Sequence, residues 1–320
     1  MEFAPVTRIG ISTISDFQRQ VTALGQPVVI ITDAYRSAKV ASWTLSDLAR
    51  RFGSVRVPVW EHDDDGKRSS SSTKGGEAGP RRMMVLADYL RLIGNRDAAA
   101  GGVPYAANIN IRDDPAVASR LAPLLSECRF PESLPSYSKE DYKLWIGAAG
   151  QSSIMHNDPY HNFNAQIVGS KRFVLFPPEQ HDVVYAQFVH QGIWVSQIDP
   201  ANPGLANYPL FAQACGLQCD LAEGEILYIP RFWWHHVRAL TVSVNLNRFV
   251  YTDTEWWHQR PEARRFVSYE KLLAHVRREF ETLAPLERGF RRAEFDRLRS
   301  ELEALLASVP DDSGCPRSST

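Results

Sequence analysis

The feature of this sequence that most constrains its fold is a series of short apolar segments between residues 144 and 250, which glycine and proline residues separate. Their length and their content of β-branched and aromatic residues predict strands rather than helices. Gly169-Ser170 lies between two such segments, 167–168 and 171–176, and predicts a tight turn between paired strands. Many short strands joined by turns predict a β-sandwich or a β-barrel.

Elements of both kinds are predicted around this strand-rich segment. Capping residues and apolar spacing favour helices, whereas short β-branched runs favour strands. In chain order, we predict a helix at 15–25 capped by its serine, a strand at 27–31, a helix at 44–53, a strand at 55–60, a helix at 84–94, a strand at 103–111, a short helix at 179–191 and a loop with helical turns at 198–218.

Three further segments bear on domain organisation. Residues 62–82 contain acidic, serine and glycine runs without apolar periodicity, which predicts a flexible insertion in a domain spanning residues 1–260. Residues 261–308 carry apolar residues at helical spacing and predict C-terminal helices. The polar residues 309–320 predict a disordered tail.

One short motif carries candidate metal ligands. His156 and Asp158 are two residues apart, so on an extended strand their side chains point to the same face. A third candidate follows near the end of the strand-rich segment, where His235 and His236 are adjacent. Two histidines and one carboxylate on one face of a metal leave the opposite positions open, as in non-haem Fe(II) oxygenases. Because neighbouring strand residues point to opposite faces, the strand phase decides between His235 and His236.

These motifs resemble a known family. The segment 144–178, the Gly-Glu-Ile-Leu-Tyr-Ile-Pro run at 224–230 and the Trp-His-x-Val run at 234–237 look like the JmjC/cupin-like 2-oxoglutarate dioxygenases. The resemblance covers residues 5–60 and 84–258 and is greatest to the small hydroxylase branch, which holds the factor-inhibiting-HIF, arginyl-hydroxylase and tRNA-wybutosine-hydroxylase relatives. It implies a mainly β fold with flanking helices, in which a double-stranded β-helix (jelly roll, cupin-like) core carries an N-terminal α/β extension and C-terminal helices.

The resemblance also implies the ligands of a site. It assigns Fe(II) to His156, Asp158 and His235, so that His236 points away from the metal. It assigns the distal carboxylate of the cosubstrate 2-oxoglutarate to Lys171, which begins the strand after the Gly169-Ser170 turn. The other residues implied around the cosubstrate are Tyr105, Ser153, Asn162 and Asn245.

The function that the resemblance implies is hydroxylation of a substrate carbon with O2 and 2-oxoglutarate, which yields succinate and CO2 as co-products. A formal net charge of −1 does not draw the chain as a whole toward nucleic acid, so a protein or peptide side chain is the expected substrate. RNA-base (tRNA) hydroxylation by the same chemistry is the alternative. Lysine demethylation and a non-catalytic cupin scaffold are further alternatives.

Partners and compartment are constrained less strongly. The apolar stripe within 261–308 allows a homodimer through these helices. No run of the sequence approaches the about 18 apolar residues of a membrane span. The N-terminus lacks the pattern of a signal peptide, so we expect an intracellular protein, cytoplasmic or nuclear, that does not contact a membrane.

Overall fold

The computed structural model describes residues 3–32 except 23, 43–60, 81–95, 103–111, 115–134 except 129 and 133, 139–190 except 159, and 193–251. The predicted C-terminal helices and tail, and all but the last two residues of the predicted insertion, lie outside these residues, so those predictions and the predicted domain boundaries remain untested.

Strands dominate the described residues. They are β1 Ala4–Pro5, β2 Thr7–Gly10, β3 Val28–Ile31, β4 Arg56–Trp60, β5 Arg81–Val85, β6 Ala106–Asn110, β7 Lys139–Gly147, β8 Ser152–Asn157, β9 His161–Val168, β10 Lys171–Phe176, β11 Gln187–His190, β12 Ile193–Ser196, β13 Leu217–Leu221, β14 Glu225–Ile229, β15 Trp234–Ala239 and β16 Ser243–Tyr251. The α-helices are α1 Ile14–Phe17, α2 Leu45–Phe52, α3 Leu86–Gly94 and α4 Pro115–Glu127.

Two seven-stranded sheets form the body of the fold. The first has the order β1-β13-β10-β15-β8-β12-β11, and the second has the order β2-β3-β14-β9-β16-β7-β6. Strands β4 and β5 pair in a small third sheet. The chain passes repeatedly between the two large sheets, because β8 and β10 belong to the first and β9 to the second. This arrangement confirms the predicted jelly-roll core.

Side-chain alternation along the strands separates an apolar outer layer from a polar inner one. On β9, Phe163 and Ala165 belong to a large apolar cluster that also contains Leu48 of α2 and Leu90 of α3. The alternate positions on β9 are polar and face the other side of the sheet. The second sheet therefore turns its apolar face to the helices and its polar face to the first sheet.

A smaller apolar cluster fills part of the space between the sheets. It contains Phe173 and Leu175 of β10 together with Leu227 and Ile229 of β14, one strand from each sheet. Burial of these side chains, at about 25 cal/mol per Å² of apolar surface, holds the two sheets face to face. The rest of the space between the sheets can then stay polar.

The turn predicted at Gly169-Ser170 is present after β9, but the prediction that it joins paired strands is wrong, because β9 belongs to the second sheet and β10 to the first. Gly169 adopts φ +71°, and a Cβ at this position would overlap the carbonyl oxygen of Val242. Only glycine meets both conditions without strain. The turn sets the register in which Lys171 begins β10.

Between residues 178 and 221, the helix prediction is wrong and the loop prediction is right except at its end. The short helix predicted at 179–191 is a single 3-10 turn, Pro178–Gln180, followed by turns and by β11. The segment predicted as a loop at 198–218 contains the 3-10 helix Pro209–Gln213, but its last residues begin β13. Strand β13 pairs with β10 and β1, which are distant in sequence, whereas β11 pairs with β12, which follows it directly. In both cases strand pairing outweighs the local pattern.

Two helix starts also differ from the predictions. The first helix is capped by Thr13 in a capping box with Asp16, and after Phe17 it continues as a π-helix, Gln18–Thr22. The predicted serine cap and the predicted extent to residue 25 are therefore wrong. The helix predicted from residue 84 begins two residues later, because β5 extends to Val85. By contrast, α2 lies within the predicted 44–53, and the Thr44 side chain caps it.

Candidate metal centre

Two antiparallel strands of the first sheet place the candidate ligands together. In the pairing of β8 with β15, His235 lies opposite His156. Asp158 follows the last residue of β8, and its Oδ2 is 4.0 Å from Nε2 of His156 and 3.6 Å from Nε2 of His235. One ligand atom from each of the three residues lies within 4.8 Å of the others. A single ion with bonds of about 2.0–2.2 Å fits between such atoms after small side-chain adjustments.

Backbone contacts orient both imidazoles for metal binding. Nδ1 of His156 is 2.8 Å from the carbonyl oxygen of Ile154, and Nδ1 of His235 is 3.0 Å from the carbonyl oxygen of Trp233. A carbonyl oxygen only accepts, so each Nδ1 carries the proton and each Nε2 keeps its lone pair. Both lone pairs are then available beside Asp158.

Burial keeps His235 in the form that binds metal. Desolvation, assisted by the neighbouring His156, lowers the pKa of His235 to about 4. The imidazole is therefore neutral at physiological pH, and no proton has to leave before a metal binds. Two imidazole ligands and one carboxylate form a donor set that suits a divalent cation.

The structure also shows which of the two adjacent histidines, His235 or His236, faces the other candidate ligands. Nε2 of His236 lies 4.0 Å from Oδ1 of Asp199, away from the cluster formed by His156, Asp158 and His235. The strand phase thus turns His235, and not His236, toward the other two candidate ligands.

The residues predicted around a cosubstrate line the same cavity as this cluster. Lys171 is 3% exposed, and its Nζ donates to the hydroxyl of Tyr105 over 3.5 Å. Burial lowers the pKa of Lys171 to about 7, because the cavity removes water from the ammonium. The cavity is lined by Tyr105, Trp145, Ser153, His156, Asp158, Asn162, Asn164, Lys171, Phe173, His235, Val237, Asn245, Asn247 and Phe249.

This lining fits a small polar dianion held beside a metal. Among the lining residues, Lys171 is the cation and Asp158 the anion, and the carboxylate of Asp158 is one of the three candidate metal ligands. A carboxylate of the guest would supply the counter-ion that the buried ammonium of Lys171 needs. Asn162 lines the same wall, and its buried Oδ1 has no hydrogen-bond partner among the described residues.

Three buried side chains hold the segment that carries Tyr105. Nε2 of Gln151 donates to the carbonyl oxygens of Val103, over 2.6 Å, and Pro104, over 3.0 Å, while its Oε1 accepts from the backbone N–H of Ala148 over 2.8 Å. The hydroxyl of Tyr89 accepts from the N–H of Ala106 on β6 and donates to the carbonyl oxygen of Ile146 on β7. The indole N–H of Trp60 donates to the carbonyl oxygen of Ala107 on β6. These contacts fix the position from which the Tyr105 hydroxyl meets Lys171.

Sequence reasoning missed part of the inner wall. Asn164 and Asn247 line the cavity beside the predicted Asn162 and Asn245, and Phe249 lies at the next inward position of β16. The available signal was alternation, since amides recur at every second residue of both strands between apolar neighbours. Polar alternation in a strand whose other face is apolar marks the side that lines a cavity.

Two further features near the candidate site have structural explanations. Phe163 and Trp234 are fully buried in apolar clusters, whereas Trp145 lines the cavity. His161 bonds the hydroxyl of Tyr228 over 2.8 Å and the guanidinium of Arg231 over 3.2 Å. It therefore serves a hydrogen-bond network away from the candidate ligands.

Comparison with known proteins agrees with this geometry. Residues 14–263 match the family described as the cupin-like domain. Jumonji C domain-containing protein 5 of Drosophila melanogaster is 25% identical over 259 residues, which are 79% of this chain and 59% of the relative. Lysine-specific demethylase 8 of Danio rerio is 27% identical over 262 residues, 79% of this chain and 58% of the relative. Lysine-specific demethylase JMJ30 of Arabidopsis thaliana is 32% identical over 145 residues, 43% of this chain and 32% of the relative.

The chain spans less than two thirds of the length of these relatives. In the described part of the chain, we find no helix long and apolar enough to cross a membrane.

Proposed function

This chain belongs to the cupin-like domain family, and we propose that it is an Fe(II)- and 2-oxoglutarate-dependent oxygenase that hydroxylates a side chain of a protein or peptide. The observation that carries the proposal is the presence of three converging ligand atoms and one buried ammonium in a single cavity. Fe(II) with 2-oxoglutarate supplies the activation of O2 when both are bound.

The protein side chains have separate tasks in this proposal. His156, Asp158 and His235 would hold the iron, and the iron would supply the binding positions for 2-oxoglutarate and O2. Lys171, with the hydroxyl of Tyr105, binds the distal carboxylate in a site without bulk water. This pair sets the orientation of the cosubstrate, because a carboxylate placed elsewhere would leave the ammonium unpaired.

Other lining residues protect and shape the reaction space. Phe173 and Val237 present apolar surface to the cavity near the metal ligands, while Trp145 and Phe249 present aromatic surface. Exclusion of water in this way favours productive reaction over loss of the oxidant. Ser153 and Asn162 offer a hydroxyl and an amide to the bound cosubstrate.

A second candidate function follows from the names of two relatives. Both the Danio rerio and the Arabidopsis thaliana proteins are called lysine-specific demethylases. Oxidation of an N-methyl group by the same centre would release that methyl group, whereas oxidation of a side-chain carbon would retain the added oxygen. The two outcomes therefore differ in the mass of the product.

The experiment uses the full chain, loaded with Fe(II) and 2-oxoglutarate without oxygen. We expect both to bind, which visible absorption and calorimetry measure, and we expect succinate to form after O2 is admitted. Mass spectrometry of a panel of unmodified peptides, methyl-lysine peptides and tRNA then separates the alternatives. A gain of one oxygen in a peptide supports the proposal, loss of a methyl group supports demethylation, and oxygen gained in tRNA supports RNA-base hydroxylation. Failure to bind iron and 2-oxoglutarate would leave the non-catalytic scaffold as the better explanation.

A further inference from the structure

The turn between β14 and β15 holds a bulky residue in a backbone conformation that usually belongs to glycine. The N–H of Trp233 donates to the carbonyl oxygen of Pro230 over 3.3 Å, which closes a four-residue turn. The third residue of this turn, Phe232, has φ +66°, at the position where a type II turn ordinarily takes glycine. Left-handed backbone is unfavourable for a residue with a large side chain, so the surrounding structure must hold Phe232 in this conformation.

Packing of the Phe232 ring does not account for the conformation. The side chain is half-buried, and within the described ranges it joins none of the apolar clusters. The next residue, Trp233, is by contrast buried in the cluster between the two sheets. The reason for the left-handed conformation therefore lies in the backbone groups that it directs.

Backbone groups of this turn contact two of the three candidate metal ligands. The N–H of Phe232 donates to the carbonyl oxygen of Asp158 over 2.7 Å. The carbonyl oxygen of Trp233 accepts from Nδ1 of His235 over 3.0 Å. Two consecutive residues thus fix the main chain at one ligand and the imidazole of another, although these ligands are distant in sequence.

Side-chain contacts attach the turn to the second sheet. Nε and Nη2 of Arg231 lie 3.3 Å and 3.2 Å from Nε2 of His161, the first residue of β9. The indole N–H of Trp233 donates to the carbonyl oxygen of Gly25, which precedes β3. Because the strands that carry the candidate ligands, β8 and β15, belong to the first sheet, the turn connects these ligands to the opposite sheet.

We propose that the turn Pro230–Trp233 preorganises the metal centre and that Phe232 is its positioning residue. The left-handed backbone of Phe232 directs its N–H to Asp158, while Trp233 orients His235. Metal binding then does not have to order the main chain at Asp158, which favours a higher affinity. This inference rests on the proposed function, because it concerns the site that would bind iron.

Substitutions at Phe232 separate the role of the backbone from that of the ring. Glycine and asparagine tolerate a positive φ but remove the ring, whereas valine keeps an apolar side chain and strongly disfavours a positive φ. We expect Phe232→Gly and Phe232→Asn to bind Fe(II) within about threefold of wild type, and Phe232→Val to bind it about tenfold more weakly, as loss of a ligand's supporting contact would give. Anaerobic titration of the full chain measures these affinities. A packing role of the ring predicts the reverse order, so iron binding by Phe232→Val as tight as that by Phe232→Gly would overturn the proposal.

Tyr185→Val is the matched control for this series. Tyr185 is also an aromatic residue with a positive φ, of +53°, and its N–H donates to the carbonyl oxygen of Asp182 rather than to a candidate ligand. We expect Tyr185→Val to lower the melting temperature but to keep iron affinity within about threefold of wild type, because distant sites act independently. An equal loss of iron affinity in Tyr185→Val and Phe232→Val would show that general destabilisation is the cause, and the proposal would fail.

Hydrogen exchange gives a test that requires neither iron nor a folded variant. In metal-free wild type, the bond to Asp158 should protect the amide of Phe232, and NMR measures its exchange rate. In Phe232→Val, the amide at the same position should exchange at least about tenfold faster, because the left-handed conformation is less stable. An unprotected Phe232 amide in wild type would contradict preorganisation.

The outcomes also separate this inference from the proposed function. If wild type does not bind iron, the proposed function fails and this inference fails with it. If wild type binds iron but the variants follow the reverse order, or the amide is unprotected, only this inference fails.

Discussion

The imidazole rings of His156 and His235 lie with their centroids 4.2 Å apart across the β8–β15 strand pair. Both rings donate through Nδ1 to a backbone carbonyl and direct Nε2 to the side where Asp158 lies. A metal would replace the electrostatic repulsion between these lone pairs by two coordinate bonds.

We expect His156→Ala to lower the affinity for Fe(II) by at least about 100-fold, since loss of a ligand exceeds the 10- to 100-fold effect of losing a ligand's supporting contact. Anaerobic iron titration measures this. His236→Ala is the control, because His236 approaches Asp199 on the other side of the strand and should keep iron bound. If His236→Ala lost as much iron affinity as His156→Ala, the assignment of His235 rather than His236 as the third ligand would be contradicted.

We expect Lys171→Met to weaken 2-oxoglutarate binding while iron binding stays close to wild type. Removal of one partner from a buried charge pair costs about 2–5 kcal/mol, or roughly 30-fold to several thousand-fold in affinity. Calorimetry on the iron-loaded protein without oxygen measures both constants. A comparable loss of iron in this variant would refute the division between metal ligands and cosubstrate ligand.

The stability of the ligand-free protein should depend on pH through Lys171. Burial depresses the folded-state pKa of this amine to about 7 from its ordinary 10.5, so between these values the unfolded chain holds a proton that the folded chain has released. The contribution of Lys171 to the free energy of unfolding therefore rises with pH across this window. Below pH 7 the full cost of burying the ammonium destabilises the fold. We expect Lys171→Met to stabilise the fold by an amount on the order of a few kcal/mol at pH 6, and by less at pH 10.

Urea denaturation of both proteins at the two pH values checks this expectation. Lys143→Met is a control for replacement of a lysine, because the Lys143 side chain is 25% exposed and pairs with Asp141. A stabilisation by Lys171→Met that does not change with pH would show that burial of the ammonium is not its cause.

Gln151→Leu should act on the cosubstrate through Tyr105. The substitution leaves the carbonyl oxygens of Val103 and Pro104 and the N–H of Ala148 without their partner, at a cost of about 1–3 kcal/mol in stability. We expect the KM for 2-oxoglutarate to rise several-fold with a smaller change in kcat. Tyr105→Phe should raise the same KM without the loss in melting temperature, whereas the exposed Gln213→Leu should change neither.

Gly169→Ala tests the turn that places Lys171. We expect it to destabilise the fold by at least about 1 kcal/mol, because alanine disfavours φ +71° and its methyl group would overlap the backbone of Val242. Gly10→Ala is the matched control, since a Cβ at Gly10 meets nothing within 4 Å. Thermal melting of both variants measures the difference, and similar melting temperatures would contradict this explanation of the turn.

Local patterns were sufficient for much of the fold. The glycine turn before Lys171 and the capped helix after Thr44 are marked by local residues, and both were predicted, whereas the pairing predicted across that turn was wrong. The strand-like composition of 144–250 and the family resemblance predicted the jelly roll. The strand Gln187–His190 lies in a segment that was predicted as a helix. It pairs with Ile193–Ser196, which in turn pairs with β8, and no local pattern in the sequence marks this pairing.

The sequence by itself determined which residues could form a metal centre, since the spacing of His156 and Asp158 on a strand is a local property of the chain. Tertiary structure alone decided which distant residues meet them. Tyr105 contacts Lys171 across 66 positions of the chain. The side chains of Asn245 and Gln166 form a hydrogen bond, whereas Nδ2 of Asn164 and Oδ1 of Asn247 have no partner among the described residues. Strand alternation decides only the face on which a side chain lies, whereas sheet order and register decide what stands opposite, and these depend on the packing of the whole domain.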